Sequence, residues 1–373
     1  MKRFAFFGHY LNWGSVYELS GPIGQLLAYA PLGIRERVIN TFHARKVVEF
    51  PILVSKTGSS IMGCGLVVPF LPGHIAMYGE RHVLKKIIEA GKLAERLGAK
   101  IIGLAGFTSI PGNEGLEVAK SLGIPVTSGN TLTAALALQG IRKAAALLDL
   151  DLRDSIVAII GATGDIGGAC ARILSTEVKQ LRLAARNEER IGAFALTLSE
   201  GNDIDVRVVN YVKEAVQNAD IVLLATSSLT TLIEPCMVKS GAILCDIAVP
   251  HNVGIDVARQ RRDVLVFEGG LARLPTRCLP QVGAWRHISQ DGLTIFGCLA
   301  ETMALAFENR FESYSLGRGN ITAARIHEIE SIAARHGIEL AEFRYDDVVY
   351  TEESITAIAR SKCQNPRHSI RVN

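Results

Sequence analysis

Ile156-Val157-Ala158-Ile159-Ile160-Gly161-Ala162-Thr163-Gly164-Asp165-Ile166-Gly167 is a short apolar run that breaks into glycines spaced three apart and then resumes a helix-like pattern. This is how a β-strand turns into a helix around a phosphate. The first glycine permits the tight turn, the second lets backbone N–H groups approach a pyrophosphate, and the third lets helix and strand pack closely. The helix N-terminus adds a favourable dipole and free donors. Gly161, Ala162, Thr163, Gly164, Asp165, Ile166 and Gly167 are therefore candidate cofactor-binding residues. The spacing is G-x-x-G-x-x-G rather than the stricter G-x-G-x-x-G, so context must carry the reading. A second strand, Leu181 to Asn187, follows at about the distance a βαβ unit needs.

That second strand ends in Arg186, where a site for NAD usually has an acidic residue on the ribose 2′-hydroxyl. A planar guanidinium suits a 2′-phosphate, which it can bind bidentately, so the expected cofactor is NADPH. The alternative is a surface arginine in the charged loop Arg186, Glu188, Glu189, Arg190. Further apolar segments at Val206 to Val209, Ile221 to Ala225, Ala242 to Ile247 and Val264 to Phe267 continue the βαβ rhythm and predict a mostly parallel sheet. Ligands bind outside the carboxyl ends of such strands, which makes Thr226, Ser227 and Gly269 candidate pocket residues. Thr226 and Ser227 suit a helix-capping turn equally well.

At 373 residues the chain exceeds the ~250 to 300 residues of a single hydrophobic core. Charged residues make up 21% with a net charge of +3, so there is no electrostatic footprint for a nucleic acid, although a slight basic excess suits an acidic carrier protein. No apolar run reaches the ~18 residues of a membrane span, and the Met1 to His9 stretch is too short for a signal peptide; a cytoplasmic location is expected. Seven cysteines, scattered without a C-x-x-C pair, argue against a disulfide framework and a zinc site.

The N-terminal region reads as α/β. Strands are expected at Val47 to Val54, Gly65 to Phe70 and Ile101 to Ala105, and a helix over Arg81 to Leu97 ended by Gly98. A glycine-rich loop is expected from Gly106 to Gly115, followed by a helix to Leu122. An Ala/Leu-rich helix from Thr131 to Leu148 would bridge two domains, and Gly297 to Phe311 and Ile321 to His336 read as amphipathic helices. The expected organisation is an N-terminal α/β substrate domain (1–150), a central Rossmann-type doubly wound parallel sheet (151–290), a C-terminal helical segment (291–343) and a solvated, disordered polar tail (344–373). Arg360, Lys362, Arg367 and Arg371 in that tail are alternatively a contact for an acidic carrier.

Cys298 follows Gly292 to Gly297 at an expected loop-to-helix junction. A thiol in the first turn of a helix has its pKa lowered by the dipole and the free N–H groups, which favours a nucleophile. Cysteine is also among the most buried residue types, and spacing does not separate Cys298 from Cys170, Cys245 or Cys278. Ser128, Asn130 and Thr131 form a polar cluster opening an apolar helix and are candidate donors to a developing oxyanion; capping that helix is the alternative for Asn130 and Thr131. His9 is a candidate proton donor or a structural histidine.

From Gly8-His9, Phe70-Leu71-Pro72, Gly106 to Ile110, Thr127 to Thr131, Val157 to Gly167, Ala185 to Arg190, Phe296-Gly297-Cys298-Leu299-Ala300-Glu301 and Gly317 to Gly337, the chain resembles the cyanobacterial long-chain fatty acyl-[acyl carrier protein] reductases. The resemblance covers roughly residues 1 to 343, poorly over Gly14 to Ala44. It implies NADPH-dependent reduction of an acyl thioester to an aldehyde through an acyl-cysteine on Cys298. It further implies an acyl carrier protein or coenzyme A as the carrier, with oligomerisation left open. The alternative enzyme is a shikimate- or quinate-type hydroxy-acid dehydrogenase, for which Lys56 offers a lysine without an identifiable acidic partner.

Overall fold

Lys2–His9, with Phe4, Ala5, Phe6 and Phe7 all buried, form β1, the central strand of the first sheet. The computed structural model describes residues 2–200, 203–278 and 291–364. The chain divides into two units, Met1–Thr133 with Leu271–Ala341 and Ala134–Gly270 with Glu342–Asn373.

In the first unit β1 is flanked by β2 (Arg45–Val54), β3 (Ser60–Val68), β4 (Ile101–Leu104) and β5 (Val126–Thr127) in the order β2-β3-β1-β4-β5, parallel except for β2 against β3. Successive side chains of β1 point to opposite faces. Ala5 and Phe7 share a core with Val83, Leu84, Ile87, Ala90 and Ala94 of helix Glu80–Arg96, whose buried stripe follows the helical period and which ends at Gly98 with φ +78°.

The other face meets helix Gly297–Phe307: a Cβ at Gly103 of β4 would lie 2.0 Å from Thr302 Oγ1 and 2.9 Å from the Phe6 ring. This helix is shorter than the expected Gly297 to Phe311 and is not amphipathic, because Gly297 and every residue from Leu299 to Phe307 are buried. A helix apolar on all sides needs cover all round. Its burial against the N-terminal sheet is why the chain does not divide in the linear order 1–150, 151–290, 291–343: this segment counts with the first unit. The expected boundary at 290 lies outside the described residues. A small sheet, β12 (Leu271–Arg273), β13 (Thr294–Phe296) and β14 (Glu339–Leu340), leads into the helix. The loop expected from Gly106 to Gly115 contains short helical turns at Gly106–Ser109 and Pro111–Glu114.

In the second unit β6 (Ile156–Ile160), β7 (Gln180–Ala184), β8 (Asp205–Val208), β9 (Ile221–Leu224), β10 (Ile243–Asp246) and β11 (Leu265–Glu268) are all parallel in the order β11-β10-β9-β6-β7-β8. This is the doubly wound order of two mononucleotide-binding halves, with the strand order reversing at β6 and β9. The disordered tail expected after 343 is not what forms. Arg344–Tyr345 and Val348–Val349 pair as the hairpin β15–β16, and Glu352–Gln364 is a helix with Ile355 and Ile358 buried. Apolar residues two apart and then three apart supply this order within a polar sequence; Arg367 and Arg371 lie outside the described residues.

Candidate active site

The glycine turn has the geometry its sequence predicts. Gly161 adopts φ +88°, and a Cβ there would lie 2.3 Å from Ala225 O, so the backbones of the β6 and β9 turns touch. A Cβ at Gly167 would lie 2.4 Å from Gly161 O, which holds helix Asp165–Leu174 against the strand. At Gly164 the nearest atom would be 3.2 Å away, a milder constraint. Gly164 caps the helix without a side-chain hydrogen bond. This cradle fits a dinucleotide pyrophosphate.

Arg186 follows β7, is exposed, and its guanidinium has no hydrogen-bond or ion-pair partner among the described residues. Asn187 beside it caps helix Glu188–Ser199 by accepting from Arg190 N at 2.8 Å. At the carboxyl end of β9, Thr226 Oγ1 accepts from Ser228 N at 2.8 Å, the turn role weighed for it, while Ser227 is exposed. Gly269 is packed: a Cβ would lie 2.6 Å from Cys245 Sγ.

The structure separates the cysteines that spacing left equivalent. Cys170, Cys245 and Cys278 are buried, whereas Cys298 retains some exposure in the first turn of helix Gly297–Phe307. Its thiol lies by the N–H groups of Leu299 and of Cys298 itself, which favour the thiolate, yet burial outweighs them and pushes the thiol up to about 12. The low thiol pKa expected from the helix terminus is therefore corrected: desolvation of the sulfur exceeds what two N–H groups return.

Gly129 of the Ser128-Gly129-Asn130 loop lies flush against Cys298. At φ +74°, a Cβ there would be 2.1 Å from Cys298 Cα and 2.4 Å from its Cβ. The loop is fixed by Glu301, fully buried one helical turn beyond Cys298. Its carboxylate accepts from Thr127 Oγ1 and, at 2.8 Å, from Leu132 N, while burial raises its pKa.

Ser128 is not free to stabilise an oxyanion, because its hydroxyl donates to Ser315 O. Thr131 is likewise engaged, at 2.5 Å from Ser315 Oγ. Asn130 opens helix Asn130–Leu147 and is half-exposed. His9 has both ring nitrogens engaged, Nδ1 with Tyr10 O at 2.8 Å and Nε2 accepting from Phe107 N at 3.2 Å. Burial lowers its pKa to about 4, so it is neutral at physiological pH, and as a proton donor it is replaced by a structural histidine stacked on Phe70. Lys56 is exposed. Sequence reasoning assigned no role to Gly129, Glu301 or Ser315; the Glu three residues after Cys298 was the available signal.

A doubly wound parallel sheet with a glycine turn of this form defines a dinucleotide-binding oxidoreductase. The shikimate/quinate 5-dehydrogenase family profile matches residues 142–268, within the second unit. The chain is 30% identical over 305 residues to the long-chain acyl-[acyl-carrier-protein] reductase of Synechococcus elongatus, covering 79% of this chain and 87% of that protein. It belongs to that reductase family. It is also 28% identical to the aminotransferase PigE of a Serratia species, over 78% of this chain and 34% of that one. The L-tryptophan dehydrogenase of Nostoc punctiforme superposes with a TM-score of 0.44 at 12% identity, covering 98% of this chain and 89% of that one. No helix among the described residues is long and apolar enough to cross a membrane.

Proposed function

We propose that the protein reduces an acyl thioester, carried by acyl carrier protein or coenzyme A, to an aldehyde through an acyl-cysteine on Cys298. The observation that carries this reading is Cys298 itself: partly exposed, in a helix first turn, with Gly129 removing all bulk beside it. The Cys298 sulfur attacks the thioester carbonyl, the carrier sulfur leaves, and the thiol proton passes to that sulfur, so a thiol protonated at rest balances the half-reaction. The N–H groups beside Cys298 are the donors available to the developing oxyanion, in place of Ser128.

Gly161 to Gly167 would hold the NADPH pyrophosphate and Arg186 its 2′-phosphate. NADPH supplies the hydride that takes the acyl carbon to the aldehyde level. Cys298 then departs as a thiolate, stabilised by the same N–H groups, and takes a proton from solvent. His9 stays neutral throughout and keeps the Phe107 backbone in place.

The test is intact-protein mass after incubation with a panel of acyl thioesters in the absence of NADPH. A mass increase of one acyl group mapped to Cys298 is expected. Cys298→Ser is expected to bind NADPH as the parent does and to give neither adduct nor aldehyde; aldehyde from that variant refutes the covalent scheme.

A further inference from the structure

Tyr345 belongs to the hairpin β15–β16, beyond the stretch over which the family resemblance runs, yet it is one of the largest fully buried side chains in the protein. Its hydroxyl is 2.9 Å from Asp246 Oδ2 and 2.7 Å from Val253 O. Asp246 ends β10 and is almost fully buried, with no cationic side chain bonded to it among the described residues. It accepts instead from Ala248 N at 3.1 Å, Asn252 N at 2.7 Å and Val253 N at 2.9 Å, so residues 247–253 are wound around one carboxylate. Asn252 in turn donates through Nδ2 to Ser228 O at 3.0 Å and Thr230 O at 3.1 Å, which ties this loop to the one after β9 that carries Thr226 and Ser227.

The same hairpin reaches the end of β11, where Asp346 N donates to Glu268 Oε1 at 2.9 Å. His251 stacks on the Tyr345 ring with centroids 4.6 Å apart, and its Nε2 lies 3.9 Å from Glu268 Oε2. Tyr345 thus holds the loop after β10 directly and the loop after β9 through Asn252, while the neighbouring Asp346 N–H and His251 meet the end of β11. In a doubly wound sheet ligands bind at these ends, and the half formed by β9, β10 and β11 takes the nicotinamide mononucleotide portion, while β6 and β7 take the adenosine portion.

We infer that Tyr345 is a positioning residue for cofactor binding: through Asp246 and Asn252 it sets the loops that receive the nicotinamide half of the dinucleotide. A buried carboxylate bonded only by hydroxyl and N–H donors fixes loop geometry well, because each missing donor leaves charge uncompensated. The inference rests on the dinucleotide reading given above and is independent of the chemistry at Cys298.

The experiment measures dissociation constants of NADPH and of 2′,5′-ADP for the parent, Tyr345→Phe and Asp347→Ala, together with the rate of Cys298 acylation without cofactor. Tyr345→Phe keeps the ring and removes only the hydroxyl. It should weaken NADPH roughly tenfold, the scale of one hydrogen bond to a charged group. Binding of 2′,5′-ADP and the acylation rate should stay within about twofold. Asp347→Ala, which removes only the exposed pair with Arg259, should match the parent in every measurement.

Unchanged NADPH binding by Tyr345→Phe overturns the inference. So does parallel loss of NADPH and 2′,5′-ADP binding or of acylation, which marks a general structural role. A parent protein that binds neither nucleotide overturns this inference through the dinucleotide reading itself, whereas a parent that binds both and gives no acyl adduct refutes only the covalent reading.

Discussion

Gly129→Ala tests the site most directly. The added methyl would sit 2.1 Å from Cys298 Cα, 2.4 Å from its Cβ and 2.9 Å from its carbonyl oxygen, two of these contacts being to backbone. Reaching ordinary contact at 3.4 Å requires the loop and the first turn of helix Gly297–Phe307 to part by more than 1 Å. The helix resists because Leu299 to Phe307 are buried on all sides, and the loop resists because Glu301 holds Thr127 and Leu132. A side chain at φ +74° adds about 1 kcal/mol of backbone strain to an overpacking cost of roughly 1–3 kcal/mol. A displacement of about 1 Å at a reacting group costs on the order of 100-fold in rate. The assay is the time course of Cys298 acylation by intact mass, with NADPH affinity as the companion measurement. Acylation about 100-fold slower at unchanged NADPH affinity is expected. Acylation at the parent rate would refute the packing argument.

Three further outcomes are expected. Arg186→Ala should weaken NADPH by roughly tenfold or more with little effect on NADH, since the guanidinium is exposed and faces no other partner among the described residues; equal loss for both cofactors in paired titrations would count against the 2′-phosphate role. The acylation rate should climb steadily from pH 7 to 10 without levelling near the ordinary thiol range, because burial pushes Cys298 up to about 12; a plateau near pH 8.5 in a pH–rate profile would contradict that environment. The same shift has a stability sign. The folded-state value lies above the unfolded one, so this contribution is complete below about pH 8.5 and is lost as pH rises toward the folded-state value, a decline that alkaline denaturation should show more weakly in Cys298→Ser.

Much of the nucleotide unit was legible because its signals are local. Gly161 and Gly167 declare a turn through backbone contacts that only glycine allows, and β6, β9, β10 and β11 are short, mostly apolar runs with recognisable ends. The site around Cys298 was legible only in part. The helix terminus could be read from Gly297-Cys298, but the thiol's environment depends on burial by residues distant in sequence, which reversed the expected pKa. Ser128 offered a hydroxyl at the right kind of position, and no sequence rule indicates that Ser315 O, nearly two hundred residues later, already takes its proton. Tyr345 was hidden for the opposite reason: its neighbours are polar, so a periodicity search sees a tail where one buried ring and one buried carboxylate make an anchor.

The interleaved order of the first unit has a consequence for its synthesis. Strands β1, β3 and β4 are complete by Leu104, but the apolar helix that covers one of their faces begins at Gly297, roughly 190 residues later. At about 5–20 residues per second, the emerging chain carries that open sheet face for some ~10–40 s, while the whole second sheet is being made. The strands of the second sheet can therefore pair on the ribosome before the first sheet is covered, although the hairpin β15–β16 of their unit is made later still. A chain interrupted near Gly270 would leave the ribosome with its second sheet lacking the hairpin β15–β16, its first sheet uncovered and Cys298 missing, a natural substrate for the machinery that shields or degrades unfinished proteins.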